Sequence, residues 1–142
     1  MRKILYIVLI FLCLSVSYAS AQSISVVGLN NCIGNEYSSI GDAYAGSGNV
    51  FLVIELNVAN NGYESFSVDP GYFRLATSNF NYKISPVTYY LDKIGKRTLP
   101  SGSIPNGGTI SGCVAYEVPS GTNDYNIKYD GWENVNIGYN CE

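Results

Sequence analysis

Val50-Phe51-Leu52-Val53-Ile54-Glu55-Leu56-Asn57-Val58 is the stretch that decides the fold. Leu52, Ile54, Leu56 and Val58 fall on one side of a period of two, and Glu55 and Asn57 on the other. That is the signature of a strand with one face in a core. A slip of one residue would bury a carboxylate and an amide in place of leucines, so the register is strongly specified. Thr109 to Val118 repeats the pattern, with Ile110, Val114, Tyr116 and Val118 on one face. The two apolar faces are expected to form the centre of one core.

Working outward, no segment beyond the N-terminal stretch keeps a helical period. Ile24–Leu29, Tyr63–Val68, Tyr72–Ala76, Tyr82–Ser85, Tyr125–Tyr129 and Val135–Tyr139 read as further strands. Asn60-Asn61-Gly62 accepts the positive φ of a tight hairpin, which predicts that Tyr63–Val68 folds back antiparallel on Val50–Val58. Asp69-Pro70-Gly71 and Asn79-Phe80-Asn81 are turns, and Pro86 ends the strand before it. Ser101–Gly108 is loop chemistry, and Asn35–Gly48, rich in Gly, Ser and Tyr, reads as a long loop. Asp92, Lys93, Lys96 and Arg97 around Gly95 read as a solvated loop. About eight short strands with no helix between them predict an all-β, immunoglobulin-like antiparallel β-sandwich.

The 142-residue chain has room for one domain. Arg2 and Lys3 precede an apolar run from Ile4 to Val16, and Ala19-Ser20-Ala21 closes it with small residues. The run is shorter than the ~20 residues that span a bilayer, so residues 1–21 are expected to be a signal peptide and residues 22–142 the exported domain. Retention of that segment would leave a membrane anchor instead. Cys13 follows Leu12 in mid-run, a poor site for lipidation. After cleavage six basic residues face eleven acidic ones, a net charge of -5. An acidic, sparsely charged chain has no basic stripe for phosphates, so nucleic acid is not an expected partner. The absence of histidine removes Ser-His-Asp and Cys-His triads and histidine metal sites.

Cys32, Cys113 and Cys141 remain after cleavage, in a compartment where disulfides persist. Three cysteines imply one bridge and one free thiol. Val135, Ile137, Tyr139 and Cys141 share one face, and Cys32 shares the parity of Ile24 and Val26. Cys113 sits with Ser111, Ala115 and Glu117 on the more polar face of its strand. Parity therefore favours a Cys32–Cys141 disulfide and a free Cys113, with Cys32–Cys113 as the second choice and Cys113–Cys141 or no bridge as the remaining alternatives.

Two segments resemble a known family. One runs from Phe51 through Asn60-Asn61-Gly62 to Asp69-Pro70-Gly71-Tyr72-Phe73-Arg74-Leu75. The other is Leu99-Pro100 followed by Asn106-Gly107-Gly108-Thr109-Ile110-Ser111-Gly112-Cys113-Val114-Ala115-Tyr116-Glu117-Val118-Pro119. They are similar to the telokin-like family of small exported immunoglobulin-like domains of unknown function, related in fold to a mycobacterial immunoprotective secreted antigen. The resemblance covers roughly residues 50–130. It implies an immunoglobulin-like sandwich outside the cytoplasm and carries no catalytic residues. The extra cysteines and the missing lipidation motif depart from the family pattern. Locally, Gly112 within a strand suggests a bulge or a close crossing over a neighbour.

No residue pattern points to catalysis, a cofactor or a metal. Asp124, Asp130 and Glu133, with Asn126 and Asn134 between them, could offer oxygens to calcium. Their spacing departs from an EF-hand loop, and turn chemistry explains them better. The aromatic residues Tyr89, Tyr90 and Trp132, in or beside turns, are the candidate binding residues, since such rings stack on sugars or bury in a partner. Trp132 reads more readily as a cap on an open end of the sandwich. The expected function is noncatalytic: surface contact with a protein or cell-envelope component. Two alternatives are a carbohydrate-binding module using the loop aromatics and a filament subunit that donates Ser23–Leu29 to a neighbouring sheet edge.

Overall fold

The computed structural model describes residues 20–131 and 137–141. Among the described residues there are twelve strands. These are β1 (Ser23–Gly28), β2 (Asn35–Tyr37), β3 (Ser39–Ile40), β4 (Ala43–Tyr44), β5 (Asn49–Asn61), β6 (Ser65–Val68), β7 (Phe73–Ala76), β8 (Asn81–Lys83), β9 (Gly102–Pro105), β10 (Thr109–Pro119), β11 (Asn126–Tyr129) and β12 (Ile137–Cys141). Short 3-10 helices cover Asn30–Cys32, Pro70–Tyr72 and Pro86–Ile94. The expected all-β sandwich is the architecture found.

One layer is the sheet β10-β5-β1-β12, with β2 also on β5. The other layer consists of β11-β7-β8 and the pair β6-β9. β10 and β5 run antiparallel in unbroken register from Thr109 opposite Ala59 to Pro119 opposite Asn49. The apolar faces meet as expected. Leu52, Ile54, Leu56, Val58, Val114, Tyr116 and Val118 are buried with Phe66, Phe73, Leu75, Leu99, Ile104 and Ile127 from across the sandwich. The sheet is not wholly antiparallel, since β12 lies parallel to β1, with Ile24 opposite Ile137 and Gly28 opposite Cys141.

Three expectations for the connections are corrected. Asn60-Asn61-Gly62 does not close a β5–β6 hairpin, because β6 pairs with β9 in the opposite layer. Asn60 is buried, and its amide donates to the carbonyls of Tyr63 and Ile104, both at 2.9 Å, while accepting from Tyr63 N–H at 3.1 Å. Its side chain thus supplies backbone-like partners where the chain leaves one layer for the other. Ser101–Gly108 is not all loop, since β9 occupies its centre and Pro105 ends the strand, where a missing N–H does no harm. Asn35–Gly48 is not a long loop either. It holds β2 on the edge of β5 and the β3–β4 hairpin.

The largest departure lies on the outer face of the first sheet. Phe51, Val53, Cys113 and Ala115 are buried there with Ile40, Val87 and Leu91, forming a second core. The Pro86–Ile94 helix and the β3–β4 hairpin therefore make a third layer, where solvated loops were expected. The helix is fastened to the outer edge of β10. Thr88 Oγ1 donates to the Ala115 carbonyl at 3.2 Å and accepts from Ala115 N–H at 3.0 Å. Ser85 N–H donates to the same carbonyl at 2.7 Å. Further along that edge Leu99 N–H donates to Cys113 O at 2.9 Å and Cys113 N–H to Arg97 O at 2.8 Å. These bonds satisfy the backbone groups an edge strand would otherwise expose.

Candidate contact surface

The third layer carries three of the five exposed rings among the described residues, the other two being Phe80 and Tyr72. Tyr44 is 79% exposed, Tyr89 59% and Tyr90 57%. Burial explains why these rings are held outward: the positions beside them are spent on the second core. Val87, Thr88 and Leu91 face inward from the helix. On the hairpin, Ile40 is buried and Ala43 packs partly against it.

Tyr89 and Tyr90 do not act as one platform. The helix is interrupted at Tyr90, where φ is -121° and ψ is 17°. Tyr90 lines a depression with Ile40, Gly41, Asp42, Ala43 and Lys93. Tyr89 lines another with Asp69, Pro70, Thr98, Leu99, Pro100 and Ser101. Trp132, the third candidate binding residue, lies outside the described residues, as do Glu133 and Asn134. Tyr44 was missed by sequence reading. Its place in a Gly/Ser-rich stretch concealed a hairpin of two-residue strands, too short to show a period.

A third depression, about 410 Å³, opens where the chain passes from β1 to β2. Cys32, Ile33, Glu36, Leu52, Thr122 and Tyr125 are among its lining residues. Tyr125 hydroxyl donates to the Cys32 carbonyl and accepts from Gly34 N–H at 3.2 Å. Burial pushes its phenol pKa up, and the Gly34 bond offsets part of that rise. Glu36 accepts from Gly121 N–H at 2.8 Å. The polar groups of this depression are therefore largely committed to holding the fold.

The cysteines separate as the two faces of the sheet separate. Cys113 is a buried free thiol in the second core. Burial raises its pKa, with the nearby Glu55 charge adding to the rise and Lys96 opposing it. An inert thiol is the physical expectation for such a site. Cys32 lies on the other side, with Tyr139 hydroxyl 2.8 Å from its sulfur. Asp130, one of the candidate calcium oxygens, is paired instead with Arg74 at 3.0 Å. Among the described residues no three His, Cys, Asp or Glu side chains group as metal ligands would. Of Ser23–Leu29, the candidate donor strand, Ser23–Gly28 is paired within its own chain, with β5 on one side and β12 on the other.

A three-layered all-β domain with an aromatic outer layer defines the class of this protein. Residues 19–137 match the family described as a domain of unknown function, DUF4352, and the chain belongs to that family. No curated protein matches the chain.

Proposed function

We propose that this protein is a noncatalytic exported domain that works by surface contact, presenting the third layer to a protein or cell-envelope partner. The observation that carries this reading is the set of exposed tyrosines, Tyr44, Tyr89 and Tyr90, on segments anchored to a buried second core. Rings held on a rigid support lose little conformational entropy on binding, which is why tyrosine is favoured at contact surfaces. Telokin-like kinship is part of the same reading, supported by the sandwich fold and by the glycine-rich lead into β10.

Export is supported by what cleavage would leave. β1 begins at Ser23, and Gln22 already donates to the Gly62 carbonyl at 3.0 Å. Cleavage after Ala21 would leave this arrangement whole. A Cys32–Cys141 disulfide fits the same compartment. Cys32 sulfur lies 3.7 Å from the Asn140 carbonyl oxygen and 3.8 Å from that of Gly28, the residue in register with Cys141. That bridge would close a loop of about 110 residues, for which the chain-entropy account gives ~4.7 kcal/mol. The pairing of β1 within its own sandwich favours a self-contained domain over a strand-donating filament subunit.

The test is co-sedimentation of the purified protein with an envelope fraction of its own cells. The protein is expected to sediment with the fraction, and Tyr44→Ala with Tyr89→Ala is expected to release it. Phe80→Ala, on the turn between β7 and β8, is expected to change nothing. Equal sedimentation of the tyrosine variant and the unaltered protein would contradict the reading.

A further inference from the structure

The depression beside Tyr90 differs from the other two in what its polar groups are doing. Its floor is fixed, because Ile40 is buried in the second core and Ala43 packs against that core. Gly41 sits at φ +58°, and a Cβ there would lie 3.5 Å from Lys93 Cγ, so the lysine stem runs along the hairpin turn. Asp42 and Lys93 stand on the rim, and among the described residues the ion pair is Arg74–Asp130, not one between these two. Neither side chain, nor the Tyr90 hydroxyl, hydrogen-bonds within the described chain. The space is about 450 Å³, within the roughly 300–1,000 Å³ of small-molecule sites.

We propose that this depression binds one neutral pyranose ring of a cell-envelope glycan, with the sugar stacked on Tyr90 and its hydroxyls bonded to Asp42 and Lys93. The inference rests on the surface-contact reading and names the chemistry of its partner. A pyranose has one face of C–H groups, which suits an exposed tyrosine ring, and an equator of hydroxyls that both donate and accept. Asp42 only accepts and Lys93 only donates, so adjacent hydroxyls satisfy both. An anionic glycan would meet Asp42 and a domain of net charge -5 after cleavage, which selects against it. Tyr90 serves the depression on the hairpin side while Tyr89 serves the other.

The experiment titrates the purified, disulfide-intact protein with cellohexaose, chitohexaose, maltohexaose and mannohexaose, following amide resonances by NMR. At least one hexasaccharide is expected to shift Gly41, Ala43 and Lys93 saturably. Affinity for a single exposed site of this kind should lie near the millimolar range, about 0.1–1 mM. Tyr90→Ala is expected to weaken binding about tenfold or more and Asp42→Asn several-fold, with the spectrum otherwise folded. Phe80→Ala should bind as the unaltered protein does. Binding that survives Tyr90→Ala, or no shift with any of the four sugars at roughly 10 mM, overturns the inference. If the protein still sediments with envelope in that case, and protease rather than glycosidase treatment of the envelope abolishes it, the partner is a protein. The surface-contact reading then stands and the glycan fails. Loss of sedimentation altogether would instead remove the reading on which the inference rests.

Discussion

A Cβ at Gly112 would stand 2.5 Å from Leu99 Cα, because the backbones of the two residues cross with no side chain between them. The crossing lets Thr98 bridge to Cys113 and brings Leu99 into the main core, so one glycine joins the outer edge of β10 to the layer beyond it. The β10–β5 register is continuous through this point. Of the two local readings of Gly112, the close crossing applies and the bulge does not. Backbone cannot rotate away as a side chain can, so Gly112→Ala is expected to cost about 3 kcal/mol, the upper part of the overpacking range. Urea unfolding under nonreducing conditions measures it, and a change within about 0.5 kcal/mol would place the crossing elsewhere.

Asn60 is expected to matter more than a polar residue on a strand usually does. Its side chain serves Tyr63 twice and Ile104 once from a fully buried position. Asn60→Ala leaves those backbone groups without partners and should destabilise by about 2–4 kcal/mol. Asn57→Ala, half-buried on the outer face, should cost well under half of that. Equal costs in urea unfolding would contradict the role given to the amide.

Both faces of β5 contribute to stability at its first half, where the third layer covers it. Ile54→Ala and Val53→Ala should each be destabilising, by about 2–5 and about 1–3 kcal/mol respectively. Glu55→Ala should cost less than either. If Val53→Ala proved as mild as Glu55→Ala, the outer core would not be packed as described.

Buried phenols make the fold sensitive to alkali, Tyr116 and Tyr139 most of all. Tyr116 is fully buried, and its hydroxyl has no hydrogen-bond partner among the described residues, so burial pushes its pKa far up. Tyr139 is pushed up to about 12, mainly by burial and further by Tyr125. Phenols ionise near pH 10 in the unfolded chain. Above that pH the folded state holds more protons than the unfolded state, so stability falls as pH rises. The expected profile is flat from about pH 6 to 8 and then descends, first through Cys113, whose raised pKa acts with the same sign, and above about pH 10 by about 1.4 kcal/mol per pH unit for Tyr116 alone. Tyr116→Phe should flatten the descent and, by removing an unpaired hydroxyl, leave stability at neutral pH equal or higher. An unchanged slope in that variant would exclude Tyr116 as its source.

The thiols offer a chemical check on the layers. In the processed protein Cys113 should resist an aqueous thiol reagent until the chain is unfolded, then react as one equivalent. Nonreducing peptide mapping should recover Cys32 joined to Cys141. Recovery of Cys113 in a bridge would contradict the separation of the two faces.

Sequence reading succeeded where one physical demand acted alone. The inner faces of β5 and β10 are set by alternation, and the β7–β8 hairpin by the turn at Asn79-Phe80-Asn81, with Arg74 opposite Lys83. It failed where a local signal had a second use. Asn-Gly after β5 suits a hairpin, but the buried Asn60 side chain is used to cross between layers. The third layer had a visible signal in Val50-Phe51-Leu52-Val53-Ile54, which shows no alternation because both faces are covered there, as in a strand buried on both sides. The charged cluster around Gly95 masked the helix that does the covering. For the proposed contact surface, the exposure of Tyr89 and Tyr90 beside turns was legible. Their divergence at the kink and the arrival of Tyr44 from a distant hairpin depend on tertiary packing, which no local period encodes.

The central claim, that the third layer is the contact surface, is tested most directly by radical footprinting of the protein with and without its envelope fraction. Tyr44, Tyr89 and Tyr90 are expected to lose reactivity on binding, while Phe80 and Tyr72, exposed on other parts of the molecule, keep theirs. Protection confined to Phe80, Tyr72 or Ile33, with the three tyrosines still reactive, would contradict the account.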